Sequence, residues 1–148
     1  MTRTTKILLA ILAVLVVIQF IRPARNNGEI EGANSISKKY TVPDNVQSIL
    51  KQSCYDCHSN KTNYPWYTNV QPIGWWIQFS HVNDGKRHLN FSEFATYPEK
   101  KAKHKLEEIV DEIKEGGMPL GSYTFIHQDA VLSAEQAQVL MNWAEGLK

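Results

Sequence analysis

The short run Cys54-Tyr55-Asp56-Cys57-His58 constrains this chain more than any other feature of its sequence. It holds both cysteines of the 148 residues, with a histidine directly after the second one. Two thiols on one turn can add across the two vinyl groups of a haem, and the adjacent imidazole then ligates the iron. The pattern therefore predicts one haem c, attached covalently through Cys54 and Cys57, with His58 as the proximal iron ligand.

Two other chemistries use closely spaced cysteines. A thioredoxin-like redox pair usually follows a strand in a βαβ unit, and no strand and crossover pattern surrounds Cys54 and Cys57. A structural zinc site needs four ligands, normally with a second Cys or His pair at matching spacing. The other histidines are dispersed: His81, His88, His104 and His127. Both alternatives are therefore weaker than haem attachment.

The amino terminus has the pattern of an export signal. Two basic residues precede an uncharged apolar run over residues 7–21, which only Gln19 interrupts, and two arginines follow it. Because no clear small-x-small cleavage site follows the run, we expect residues 1–25 to be a retained signal anchor with a transmembrane helix. The positive charges before the run place the rest of the chain on the exported side of the membrane.

The remainder of the chain has the length of one small domain. Residues 26–39 are polar and contain glycine, which predicts a flexible tether, and residues 40–148 follow as the haem-binding domain. Four of the 16 Lys and Arg residues and none of the 15 Asp and Glu residues lie before residue 26, which leaves 12 basic and 15 acidic side chains. This mildly acidic balance argues against nucleic-acid binding, which generally needs a basic face.

The hydrophobic pattern of this domain is helical, with long connections. We predict four helices, which run from Pro43 to Cys54, from Pro72 to Gly85, from Glu99 to Glu115, and from Ser133 to the C terminus. The third has an apolar stripe at helical spacing, and the fourth begins with a capping box between Ser133 and Gln136. An all-α fold of about four helices around one haem is the predicted architecture.

The iron also needs a sixth ligand or an open face. Met118 follows Gly116 and Gly117 and precedes Pro119, in a loop where the backbone can approach a flat ligand closely. A thioether there would raise the reduction potential relative to two histidines, so we predict Met118 as the distal ligand. A simple apolar role for Met118 is one alternative, and His81, beside a tryptophan pair, is the alternative distal ligand.

Large aromatic side chains are candidates for the walls of the haem pocket, and they are Trp66, Tyr67, Trp75, Trp76 and Tyr123. Aromatic residues in a domain of this size are core residues first, so we expect about half of them to miss the haem. The proximal imidazole also needs an acceptor for its second N–H group, and a backbone carbonyl after the motif can serve.

Five further segments resemble those of the haem-binding domain family, small exported bacterial proteins: Tyr64-Pro65-Trp66-Tyr67, Pro72-Ile73-Gly74-Trp75-Trp76, Leu89-Asn90-Phe91-Ser92, Gly117-Met118-Pro119 and Leu132-Ser133. The likeness covers about residues 40–147, which also look like a class I c-type cytochrome. It implies a cytochrome c-like helical arrangement and covalent haem, with His58 proximal and Met118 distal. In class I cytochromes a proline carbonyl accepts the proximal N–H, which implies Pro65 or Pro72 here.

Two functions fit these features. The first is a membrane-anchored cytochrome that passes single electrons between redox proteins of the respiratory chain or periplasm, held in the bacterial inner membrane with its haem domain facing the periplasm. The second is a peroxidase-like or gas-binding haem enzyme or sensor, in which His81 and Arg87 act on a ligand at an exchangeable distal site. We favour the carrier over the enzyme because the Met118 loop would fill the position where a substrate must bind.

A cluster of basic residues lies at the start of the third predicted helix, where Lys101, Lys103 and Lys105 surround His104. Such a cluster is either a solvated helix face or a surface that steers an acidic redox partner.

Overall fold

The computed structural model describes residues 1–148. Its secondary-structure elements are all helices, joined by loops, and it has no β-sheet. The α-helices are α1 (Arg3–Ile18), α2 (Asp44–Ser53), α3 (Tyr55–His58), α4 (Ile73–Ile77), α5 (Asn83–His88), α6 (Glu99–Lys114), α7 (Gly121–Thr124) and α8 (Ala134–Glu145). A π-helical turn over Gln78–Val82 joins α4 to α5. Short 3₁₀ helices span Ile36–Lys38, Trp66–Asn69, Phe91–Thr96 and Gln128–Ala130. The predicted all-α class is confirmed.

One apolar core holds the longer helices together. α8 packs against both α6 and α2, and α3 continues directly from the end of α2. The fully buried side chains of this core include Ile36, Val46, Leu50, Phe94, Leu106 and Leu140. Because the Cys-x-x-Cys-His turn lies in α3, its position is set by the burial of α2 next to it.

The helix boundaries follow the local signals in the sequence. α2 begins after Pro43, and the predicted capping box of α8 is present, with the Gln136 N–H donating to the Ser133 hydroxyl at 3.1 Å. α6 ends at Lys114, where Gly116 takes a positive φ of 71° that glycine adopts without strain. The predicted second helix differs, because it continues past Gly85 to His88.

The N-terminal helix corrects a prediction. α1 has 16 residues and ends at Ile18, and Gln19 follows it as the C-cap residue. The side-chain amide of Gln19 donates to the backbone oxygen of Gln71 at 3.1 Å and accepts from the Gln71 N–H at 2.8 Å. No helix of the structure combines the length and the apolar content that crossing a membrane requires. The predicted single-pass anchor over residues 1–25, and the inner-membrane location with a periplasmic haem domain, are therefore wrong.

The segment predicted as a flexible tether, residues 26–39, packs on the domain instead. Its polar groups have specific partners, since the buried Asn26 amide donates to the Ser59 carbonyl and to the Thr62 hydroxyl, each at 2.9 Å. Its one 3₁₀ turn buries Ile36 completely in the core. Polar composition suggested a solvated chain, but these side chains satisfy buried hydrogen-bonding groups of the domain.

The role of this segment can be tested with two isoleucines. We expect Ile36→Ala to lower the free energy of unfolding by about 2–5 kcal/mol, because it removes a fully buried side chain and leaves a cavity. Ile21→Ala, at a position 58% exposed, should change it by less than about 0.5 kcal/mol. Urea unfolding measures both. Equal, small effects of the two substitutions would mean that residues 26–39 do not contribute to the core.

Candidate haem-binding site

A single cleft brings the predicted site residues together. It has a volume of about 420 Å³ and lies between the helical segment α4–α5 on one side and α6 with its following loop on the other. Cys54, Cys57 and His58 line it, and so do Met118, His81 and Tyr123. The size is in the range of pockets that enclose a small-molecule cofactor.

The two thiols and the imidazole project from one helical turn. Cys54 caps α2, and its carbonyl accepts hydrogen bonds from the N–H groups of Cys57 at 3.2 Å and of His58 at 2.9 Å. Between them, Tyr55 is buried and packs its ring 5.5 Å from that of Phe91. The buried tyrosine therefore fixes the turn to the core, while the three functional side chains face the cleft.

Both cysteines are free thiols, and their protonation argues against a redox pair. Burial raises the pKa of Cys54 to about 12 and that of Cys57 to about 11, with a further rise from neighbouring negative charge. Thioredoxin-like cysteines need a lowered thiol pKa, so the redox alternative has no support from this environment. The structure has no cluster of three or more His, Cys, Asp or Glu side chains that could hold a metal ion, so the zinc alternative gains no support either.

The imidazole of His58 is held from behind by two backbone carbonyls. Its Nδ1 lies 3.0 Å from the Gly85 oxygen and 3.0 Å from the Leu89 oxygen, so the Nδ1–H group donates to both. Burial lowers the pKa of His58, which favours the neutral ring that a metal requires. With Nδ1 occupied, Nε2 is the nitrogen left to bind iron. The acceptors implied by resemblance, Pro65 or Pro72, do not take this role.

Glycine at position 85 makes this contact possible. A Cβ atom there would lie 2.7 Å from the carbonyl oxygen of Cys57 and 3.1 Å from its Cβ. Any side chain would therefore push α5 away from the Cys-x-x-Cys-His turn and withdraw the carbonyl that holds His58. The sequence indicated a helix terminus at Gly85, whereas the glycine allows close approach of two elements.

His81 lies on the same wall of the cleft as these carbonyls. It belongs to the π-helical turn, and its spacing from Asp84, Gly85 and His88 places all four on one face of the α4–α5 segment. Its ring meets the Trp76 ring edge-on at 4.4 Å between centroids, and its Nδ1 is buried without a hydrogen-bond partner.

Met118 enters from the α6 side. The N–H groups of Gly117 and Met118 donate to the carbonyl of Glu112, at 2.9 and 3.2 Å, which folds the loop back on the end of α6. The half-buried Met118 lines the cleft and also a small apolar cavity that Leu140 lines. The thioether is thus held near the cleft by hydrogen bonds of the loop backbone and by apolar packing.

The aromatic candidates separate into two groups. Tyr123 lines the cleft and donates from its hydroxyl to Asp56 at 2.8 Å. Trp66, Trp75 and Trp76 are not among the residues that line it. Trp66 is 77% exposed, the Trp75 indole N–H donates to the Ile21 carbonyl at 2.7 Å, and Trp76 lies in a neighbouring cavity of about 60 Å³.

Tyr67 also lies outside the main cleft. Its hydroxyl is 2.5 Å from Nε2 of His127, whose ring stacks on that of Tyr123 at 4.4 Å. It therefore supports the wall that Tyr123 provides.

A comparison with known families agrees with this geometry. The sequence profile described as the haem-binding domain matches residues 13–146 of the chain. The protein belongs to the haem-binding domain family. No curated protein and no solved structure matches it, so the cytochrome c-like arrangement of the helices stays a prediction.

The side chains of this haem-binding protein fit the cofactor. The cleft offers two thiols from one Cys-x-x-Cys turn, an imidazole with Nε2 available, and a thioether. Apolar side chains between them, including Leu89, Ile109 and Leu120, suit the faces of a porphyrin.

Charged residues of the haem cleft were not identified from the sequence. Lys105, Glu108 and Glu112 line it from α6, and Asp84 lines it from α5. The only signal is their helical spacing beside the apolar stripe of α6, which also fits a solvated face.

The basic cluster predicted at the start of α6 is divided in the structure. Lys105 turns into the cleft and pairs with Glu108 at 2.5 Å, and Lys101 lies over the Tyr97 ring at 4.0 Å. Lys101 and Lys103 both remain exposed. Of the three lysines, Lys105 is therefore the one that the structure withdraws from the solvated face.

The close approach at Gly85 leads to a prediction. We expect Gly85→Ala to reduce the haem content of the purified protein and to lower the free energy of unfolding by about 1–3 kcal/mol, because the methyl group meets backbone atoms of Cys57. Gly121→Ala is the matched control, since a Cβ there would meet nothing within 4 Å. Absorbance of the haem pyridine adduct and urea unfolding measure the two effects. Equal haem content in both variants would contradict the role of Gly85.

The raised thiol pKa values lead to a second prediction. In protein made without haem, we expect iodoacetamide to alkylate Cys54 and Cys57 at pH 8 at least roughly tenfold more slowly than ordinary cysteine, whose pKa is about 8.5, because the smaller thiolate fraction outweighs the greater nucleophilicity of a thiolate of high pKa. Thiolate forms as pH rises, so the rate should keep rising until about pH 11 for Cys57. The urea-unfolded chain, with ordinary thiols, is the control. A folded-state rate that levels off below pH 9 would contradict the predicted protonation.

Proposed function

We propose that this protein is a c-type cytochrome that carries single electrons, with one haem bound covalently to Cys54 and Cys57 and ligated by His58 and Met118. The observation that carries the proposal is that all four side chains line one cleft while backbone carbonyls occupy Nδ1 of His58. When bound, haem supplies a reversible one-electron change at its iron.

The orientation of His58 supports Met118 over His81 as the second ligand. Since Nδ1 is bonded to the carbonyls of Gly85 and Leu89, Nε2 on the other side of the ring is directed away from those carbonyls. Met118 lies on the loop after α6, whereas His81 lies on the α4–α5 segment that also carries Gly85. The second iron ligand must lie on the face of the porphyrin opposite His58, and the Met118 loop is therefore the better candidate to supply it.

A closed pair of ligands suits an electron carrier. A thioether opposite an imidazole raises the reduction potential and leaves no open position for a substrate. The hydrogen bonds from Gly117 and Met118 to the Glu112 carbonyl hold this loop against the end of α6, beside the cleft. The partners we propose are electron-donor and electron-acceptor proteins.

One observation favours a second function, a haem enzyme or sensor with an exchangeable distal ligand. His81 lines the same cleft, and its Nδ1 is buried without a partner, as expected for a group that waits for a ligand. Arg87, which would act with it, is 76% exposed in its side chain and pairs with Asp84 instead. Of the two polar groups that this second function needs, His81 lines the cleft and Arg87 does not.

Optical spectra of the protein matured with a haem c attachment system decide between the two functions. We expect the haem to stay attached through acid extraction and the iron to be low-spin in both oxidation states. Met118→Ala should turn it high-spin and lower its potential, because the soft ligand is lost. Met141→Ala is the matched control, since this half-buried methionine on α8 lies outside the cleft.

Other outcomes point elsewhere. A wild-type protein that is already high-spin and binds carbon monoxide readily would support the enzyme or sensor. A wild-type protein without acid-stable haem would overturn the covalent attachment and the carrier together.

A further inference from the structure

We propose that Lys105 gives up its ion pair with Glu108 and binds a haem propionate instead. This inference rests on the proposed covalent haem and adds the residue that holds the far edge of the cofactor. Lys105 lies on α6, within the face that also presents Glu108, Ile109 and Glu112 to the cleft.

The burial of Lys105 is unusual for its residue type. Its side chain is only 13% exposed, whereas lysine is almost never buried unless it is paired with an anion. Its Nζ atom lies 2.5 Å from the carboxylate of Glu108, which is 42% exposed. Lys105 is therefore nearly buried in the cleft, while its partner Glu108 is half-exposed. Such a lysine is able to exchange this carboxylate for a carboxylate of the cofactor.

The charge balance of the cleft makes this exchange favourable. Four carboxylates line the cleft, those of Asp56, Asp84, Glu108 and Glu112, and Lys105 is its one Lys or Arg side chain. A haem brings two further carboxylates into this acidic environment, and like charges at short range disfavour each other. A propionate inside the cleft therefore needs a cation, and Lys105 is the residue that provides it.

The direction of the haem agrees with this assignment. Thioether bonds to Cys54 and Cys57 would hold the vinyl edge of the haem at α3, and the propionates belong to the opposite edge of the porphyrin. Lys105 belongs to α6, a different element of the cleft, and α3 has no Lys or Arg. The cysteines that would bind the vinyl edge and the lysine that would bind a propionate thus belong to different helical segments of the cleft.

Glu108 keeps a partner after the exchange. Its second carboxylate oxygen lies 3.0 Å from Nε2 of His104, on the solvated side of α6. Because Glu108 is partly exposed and has this alternative, its release from Lys105 costs little.

The test compares two lysines of the same helix. In holoprotein, Lys105→Gln should shift the midpoint potential to a more negative value, because the loss of a nearby cation stabilises the oxidised iron. In a Cys54→Ala/Cys57→Ala background, where haem binds reversibly, it should weaken haem affinity about tenfold or more, the effect of one charge-assisted hydrogen bond. Lys103→Gln, at an exposed position outside the cleft, should change neither quantity.

Two further measurements separate charge from packing. Lys105→Arg keeps the charge and should retain most of the potential and the affinity. Resonance Raman bands of the propionate bending modes should shift in Lys105→Gln and not in Lys103→Gln. If Lys105→Gln does not fold, Lys105→Arg becomes the test. Its propionate bending bands must then still show a bound propionate.

The inference is overturned if holoprotein with Lys105→Gln matches Lys103→Gln in potential and propionate bands, or if Lys105→Arg loses as much as Lys105→Gln. Failure of the proposed function is distinguishable, since it shows as wild-type protein without acid-stable haem, whatever residue stands at position 105.

Discussion

The whole site depends on the hydrogen bonds that hold Nδ1 of His58. The carbonyls of Gly85 and Leu89 accept from one N–H group, which ties the Cys-x-x-Cys-His turn to a helix nearly 30 positions later in the chain. This contact fixes the tautomer and the direction of the ring, so that Nε2 faces the cleft. It also requires a glycine at position 85, because any Cβ there would meet the backbone of Cys57.

The position of His58 decides the roles of the residues around it. Its ring is held against α5, so His58 and His81 both lie at the α4–α5 segment, whereas Met118 lies on the loop after α6. Met118 and His81 are then no longer equivalent, although both line the cleft. Electrostatics adds a second constraint, because four carboxylates line the cleft and the nearly buried Lys105 is its one Lys or Arg side chain, while burial keeps the two thiols protonated.

Several expectations failed where the deciding contact joins distant parts of the chain. The apolar run at the amino terminus indicated a membrane anchor, but the helix ends at Ile18 and Gln19 pairs with the backbone of Gln71. The polar segment 26–39 indicated a tether, but its side chains satisfy buried groups and Ile36 enters the core. The amino-acid composition of a segment indicates how well water solvates it. It does not indicate which distant segment supplies its hydrogen-bonding and packing partners.

The sequence by itself determined what depends on neighbours along the chain. The spacing of Cys54, Cys57 and His58 on one turn, the apolar stripe of α6 and the capping box at Ser133 are local patterns, and local geometry follows from them. Only the tertiary structure decided which carbonyls hold His58 and which wall presents Met118. It also showed that Lys105 faces the cofactor cleft rather than solvent. These depend on the packing of helices separated by long connections, and no spacing in the sequence records that packing.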